Sequence, residues 1–186
     1  TAAETAEFLS SAAPDRRTAV IERLLASPDH ADFFAGKWTA LLKNRRDDAS
    51  DITSNFAFHA WVRDSLLANK PYDQFVREIL AATGTVIGNP PVAWYKRVKE
   101  PKQQQEDVAQ LFLGVRMQCA QCHHHPFEKW DQADYFGFAG LFTGVDRKAV
   151  PGGGQKITGR AGAALKHPRT GVEVPPRPPG AEGWQV

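Results

Sequence analysis

The chain has 186 residues, 23 Lys+Arg against 21 Asp+Glu, and a formal net charge of +2. That length suits one compact domain, with or without an extension, and 42% hydrophobic with 24% charged residues is ordinary globular usage. The near-neutral balance argues against a dedicated nucleic-acid binder, no apolar run reaches the roughly 18 residues of a membrane span, and two cysteines are too few for a disulfide-stapled mini-protein.

Thr1-Ala2-Ala3-Glu4 carries neither a basic stretch nor an apolar leader, and Met117 is the sole methionine, so the chain reads as a mature fragment or an excised domain. After Pro14-Asp15, Val20, Ile21, Leu24 and Leu25 recur at helical spacing. Ser27-Pro28 is an N-cap with Pro at the first helical position. The stripe Phe33, Phe34, Trp38, Leu41 and Leu42 follows and ends in the basic Lys43–Arg46 segment. Asp47 to Ser54 is polar and reads as a loop, with no calcium-loop pattern. Phe58, Trp61, Val62, Ser65, Leu66 and Leu67 form a third stripe up to Asn69. Pro71 opens a fourth helix with Phe75, Val76, Ile79 and Leu80 inward, expected to stop near Gly84. Gly88-Asn89-Pro90-Pro91 breaks the chain, and Val92 to Val98 reads as a short helix or an extended segment.

Glu100-Pro101 starts another helix, whose face of Val108, Leu111, Phe112 and Val115 is expected to lead directly into Cys119. Pro126-Phe127 is a turn, and Asp131 caps a last helix bearing Tyr135, Phe136, Phe138, Leu141 and Phe142. From Ala149 onward Gly and Pro dominate, with Pro151-Gly152-Gly153-Gly154 as a flexible link. The expectation is a mainly α fold of about six helices, with a helical unit over 1–146 and a Gly/Pro-rich extension over 147–186 that forms a short β-hairpin or an interdomain segment.

Both cysteines sit in Cys119-Ala120-Gln121-Cys122-His123, the pattern of c-type haem attachment. Two thiols three residues apart can reach the two vinyl groups of one porphyrin and form thioethers. The next residue then sets an imidazole under the same iron as proximal axial ligand. A Cys-x-x-Cys pair can also be a redox dithiol or half of a zinc site. No βαβ pattern surrounds it, and no second such pair is present for a closed zinc site. Phe112, Val115, Met117, Phe127, Trp130, Tyr135, Phe136, Phe138 and Phe142 stand near the motif and serve as core, of which a haem would be part.

The stretch from Leu111 through Cys119-Ala120-Gln121-Cys122-His123-His124-His125-Pro126-Phe127 resembles the planctomycete cytochrome c domains, the PSCyt family of large exported multidomain bacterial proteins long described only as a domain of unknown function. Trp130-Asp131-Gln132-Ala133-Asp134-Tyr135-Phe136, Arg23-Leu24-Leu25-Ala26-Ser27-Pro28 and Pro71-Tyr72-Asp73-Gln74-Phe75-Val76-Arg77 carry the same resemblance, which leaves the Gly/Pro tail uncovered. It implies a helical c-type cytochrome domain, exported to the periplasm or cell surface, with one covalent haem c on Cys119 and Cys122 and His123 as proximal ligand. It also implies a redox partner protein or neighbouring domains of a longer chain. The late position of the motif and the lack of a downstream Met set it apart from the standard small cytochrome c topology.

Met117 is tied too closely to the attachment segment to cross the haem, so it is expected against the porphyrin edge or in the core. His125 is expected on the proximal side, bonded to a haem propionate or to backbone. His59, in the aromatic stretch Phe56–Trp61, is the candidate distal ligand, ahead of His30 and His167. Lys96, Arg97, Lys99 and Arg116 are candidates for pairing with propionates. Electron transfer is the leading function, more consistent with this sequence than a stand-alone enzyme. An open-site haem protein and a zinc or dithiol structural module are the alternatives.

Overall fold

The computed structural model describes residues 1–47, 52–151 and 154–181. Three of the helix starts follow side-chain capping chemistry. Thr1 and Glu4 form a capping box on α1 (Ala2–Ser10), Ser27 caps α3 (Pro28–Leu41) ahead of Pro28, and Asp131 and Asp134 form a second box on α8 (Gln132–Phe142). The other helices are α2 (Arg16–Leu25), α4 (Ile52–Leu67), α5 (Tyr72–Leu80), α6 (Ala93–Arg97) and α7 (Pro101–Phe112). Five short strands are β1 (Gly84–Thr85), β2 (Val145–Ala149), β3 (Gln155–Gly159), β4 (Leu165–Lys166) and β5 (Glu173–Val174). Single 3-10 turns occupy Pro90–Val92 and Met117–Gln121.

The fold is mainly α, as the periodicity predicts, with eight α-helices among the described residues rather than about six. The two additional ones are α6 and α1. The latter buries no residue and so offers no apolar stripe to read; its signal is the Thr1-x-x-Glu4 box. α4 begins at Ile52, inside the stretch expected to be loop, and Ser54 in its first turn faces the core at 5% exposure. Residues 48–51 of that expected loop, Asp48 and Asp51 included, lie outside the described residues, as do Gly152 and Gly153 of the expected link.

The core has two halves. In one, α3 packs on α4, and Trp61 stacks between Phe58 and Phe75 with ring centroids 5.9 and 5.0 Å away. Trp38 closes on Phe75 at 5.4 Å. In the other half, α7 packs on α8, and the Met117–Gln121 turn sits against both. α8 is apolar on every side, with Tyr135, Phe136, Phe138 and Phe142 all buried, so two helices cannot cover it alone.

The C-terminal segment supplies the missing cover. The Arg177 amide donates to Gly137 O at 3.0 Å, its guanidinium pairs with Asp134 at 3.2 Å, and β4 and β5 lie on α8. Small residues permit this approach: a Cβ on Gly140 would stand 3.0 Å from Ala163 O and 3.2 Å from Pro176 Cα. β3 lies between β1 and β2, with Ile157 opposite both Gly84 and Arg147. Among the described residues beyond 146, β3 pairs back to β1, while β4 and β5 pair with each other and lie on α8, so both parts of the segment contact the helical unit. No described helix is long and apolar enough to cross a membrane.

Candidate functional site

The Cys119–His123 segment is presented by two deliberate chain reversals. α7 does not run on into Cys119. It ends at Phe112, and Gly114 takes a left-handed φ of +69°, which lets the Val115 amide donate back to Ala109 O at 2.9 Å. The chain then makes the 3-10 turn Met117–Gln121, anchored inward by Met117 (1% exposed) and Ala120 (0%). Three-residue spacing on a 3-10 turn aligns side chains, so Cys119 and Cys122 share a face about 120° around the turn from those anchors. Cys119 is half-buried, Cys122 is exposed, and both are free thiols. The Cys122 amide donates to Cys119 O at 3.4 Å, tightening the pair into one turn.

His123 is exposed, and its ring is fixed by a single bond of 2.6 Å between Nδ1 and His124 O. A carbonyl oxygen only accepts, so Nδ1 carries the hydrogen. The neutral ring therefore keeps its lone pair on Nε2, which has no partner among the described residues. A metal-bound histidine needs this arrangement: a backbone carbonyl orients the ring and the distal nitrogen stays open.

His125 differs. Its Nδ1 accepts from the Phe127 and Glu128 amides at 3.3 and 3.0 Å, so Nε2 carries the hydrogen and donates to Arg116 O at 3.0 Å. Its own amide donates to Trp130 O at 2.8 Å. Of the two roles expected for it, the geometry realises the backbone one: His125 pins the chain before the motif to the chain after it.

Two side-chain struts hold the turn from beneath. Gln118 Nε2 donates to Glu106 at 3.0 Å, and the other carboxylate oxygen accepts from the buried Tyr135 hydroxyl at 2.5 Å. Burial, and after it the Glu106 hydrogen bond and charge, push the Tyr135 phenol well above its ordinary range; the nearby Cys122 thiol adds to this. The second strut is Gln132, at 3% exposure, whose Nε2 donates to Gln121 O at 3.0 Å.

The aromatic residues near the motif divide. Phe112, Met117, Tyr135, Phe136, Phe138 and Phe142 are core, whereas Phe127 is 92% exposed beside the turn and Val115 and Trp130 are half-buried. Among the described residues no three His, Cys, Asp or Glu side chains are gathered to hold a metal ion, so a closed zinc site is not assembled there.

His59 opens onto a groove lined by Thr39, Asn44, Arg46, Ile52, Asn55 and Phe56, and no residue of the motif lines it. His30 packs on Phe34 at 4.8 Å, and His167 uses Nδ1 to accept from the Arg169 and Thr170 amides at 3.3 and 3.4 Å. Lys96 donates to Ser54 at 3.0 Å, and Arg97 pairs with Asp47 at 2.6 Å and with Arg45 O, so these two cations are held by the fold. Sequence reasoning missed Glu106 and Gln132 as site residues, and Tyr135 beyond its place in the core. For Gln132 the available signal was an amide whose neighbours one turn on, Tyr135 and Phe136, are apolar; Glu106, with Lys102, Gln103, Ala109 and Gln110 a turn away, carries no such signal.

No curated protein and no solved structure matches the chain. Residues 1–147 match the family model PSCyt2, described as a protein of unknown function (DUF1549). That match covers most of the sequence, including α1 to α8 and the whole Cys119–His123 turn, and the chain therefore belongs to the PSCyt2 family.

Proposed function

We propose that this chain is a haem c domain that carries electrons within a longer exported protein, in the periplasm or at the cell surface, passing them to a neighbouring domain or a partner protein. The observation that carries the reading is the pairing, on one turn, of two accessible free thiols with an imidazole whose Nδ1–H is bonded to backbone and whose Nε2 is open. Cys119 and Cys122 would each add a thiol across one vinyl group. The sulfur bonds to carbon and the thiol hydrogen passes to the adjacent carbon, with nothing released. His123 would hold Nε2 as proximal ligand, its basicity raised by the carbonyl that accepts from Nδ1. Phe127 and Trp130 offer apolar surface beside the turn that would shield a bound group from water. When bound, the group supplies one-electron redox chemistry, tuned by axial ligation, burial and hydrogen bonding.

The test is expression of the chain with a leader for export, in a host that has the c-type attachment machinery. The expected product gives a c-type pyridine haemochrome and a reversible one-electron titration. His123→Ala should retain the haem but lose the native axial spectrum. A product without haem under conditions that load a control cytochrome c would overturn the reading.

A further inference from the structure

The strut formed by Gln132 continues past the motif. Its Nε2 donates to Gln121 O, a carbonyl lying between the two cysteines, and its Oε1 accepts from Arg169 Nε at 3.2 Å. Gln132 is 3% exposed, so both ends of a buried amide are consumed by this relay. Arg169 lies beyond residue 147, where the family match ends. It is placed by its own local chemistry: the Arg169 amide donates to His167 Nδ1 at 3.3 Å, Gly171 closes the turn at a φ of +70° with its amide on His167 O at 2.9 Å, and the His167 amide donates to Val172 O at 2.8 Å. β4 and β5 flank this turn and pair Leu165 with Val174. The turn is thus a built hairpin loop held on α8, and the His167 ring lies 6.4 Å from Phe136.

We propose that Gln132 and Arg169 are positioning residues for the Cys119–Cys122 turn, so that the C-terminal hairpin is a working part of the site. The relay fixes the peptide between the cysteines, and with it the separation and facing of the two thiols. Loss of Arg169 leaves Gln132 Oε1 without its partner and frees the amide to rotate away from Gln121. This deepens the haem reading, because thiol spacing matters when both sulfurs must reach one rigid ring, but the relay itself is a property of the haem-free chain and can be tested there.

The experiment uses the full chain without haem, as wild type, Gln132→Ala, Arg169→Ala and Arg169→Lys. Hydrogen exchange across 117–123 and the alkylation rates of Cys119 and Cys122 are read beside the urea midpoint. Arg169 is exposed, so its variants should fold. Gln132→Ala and Arg169→Ala should each speed exchange over 117–123 about fivefold, the ratio that one net hydrogen bond of ordinary strength supports. The ratio of the two alkylation rates should shift as well. Arg169→Lys, which keeps a donor, should restore most of both. Unchanged exchange and an unchanged rate ratio would overturn the proposal, as would faster exchange spread evenly over all helices. Failure of the wild-type chain to take up haem would count against the haem reading alone, since these haem-free readouts would stand.

Discussion

The two halves of the core are built from different materials. Around α3, α4 and α5 the interior is aromatic: Phe58, Trp61, Phe75 and Trp38 pack ring on ring, the buried polar groups are the small hydroxyls of Thr39, Ser54 and Ser65, of which Thr39 and Ser65 bond back to their own helix at Ala35 O and Trp61 O, and the Lys70–Glu78 pair, at 2.5 Å, stays at the rim with Lys70 over the Trp61 face. Around α7 and α8 the interior holds Gln104, Gln105 and Gln132, all within 3% of full burial, and the Tyr135–Glu106 bond. Burying polar groups costs stability unless each is bonded. The second half accepts that cost, and part of its polar network holds the Cys119–Cys122 turn: Gln132 bonds Gln121 O and the Tyr135–Glu106 pair bonds Gln118, whereas Gln104 Nε2 donates away from the turn to Val98 O and the Gln105 amide makes no hydrogen bond among the described residues. One half secures the fold, and the other spends part of that stability on fixing a short exposed segment.

That contrast can be broken at its strongest point first. Phe75→Ala removes a ring shared by Trp38 and Trp61 and should cost about 3–5 kcal/mol in urea unfolding, with exchange across 117–123 still slow in the folded fraction. Tyr135→Phe keeps the packing but takes the donor from Glu106; a loss of about 1–3 kcal/mol is expected, with faster exchange at 117–121. If both variants moved the turn equally, the two halves would not be separable.

Alkali should act on both halves. Tyr95, bonded to Leu80 O at 2.6 Å, has its phenol pushed up to about 12 by burial, and Tyr135 is raised further by burial and by Glu106. A folded-state value above the unfolded one means the contribution is full below about pH 10 and is lost as pH rises through the folded value. Stability should therefore hold to about pH 10 and fall beyond it, and Tyr95→Phe should flatten part of that fall in denaturant midpoints measured against pH. The smallest effect is expected from His59→Ala. It lies on a groove apart from the motif, so stability should change by less than about 0.5 kcal/mol and the spectrum of a haem-loaded chain should not change at all. A lost low-spin spectrum would restore His59 as distal ligand.

Much of this architecture was legible where local chemistry decides it. Ser27-Pro28 and Asp131 start helices where their capping chemistry says they should. Two further local signals, the Thr1-x-x-Glu4 box and Gly114 after Leu113, mark boundaries the structure realises. The cover over α8 was not legible. Gly137, Gly140 and Gly144 announce a close approach, but which segment approaches is a long-range fact. The three consecutive histidines show the same limit at the site. Sequence lists His123, His124 and His125 alike, whereas the partner of Nδ1, a carbonyl for His123 and two amides for His125, separates the open ring from the structural one.

The central claim is covalent attachment at Cys119 and Cys122. The most direct measurement is acid–acetone extraction of the chain after export in a host with the attachment machinery, followed by intact mass. The account predicts that the haem stays with the protein, one per chain, and that Cys119→Ala with Cys122→Ala releases all of it. Haem that extracts completely from the wild-type chain, or a chain that never acquires it, would contradict the account.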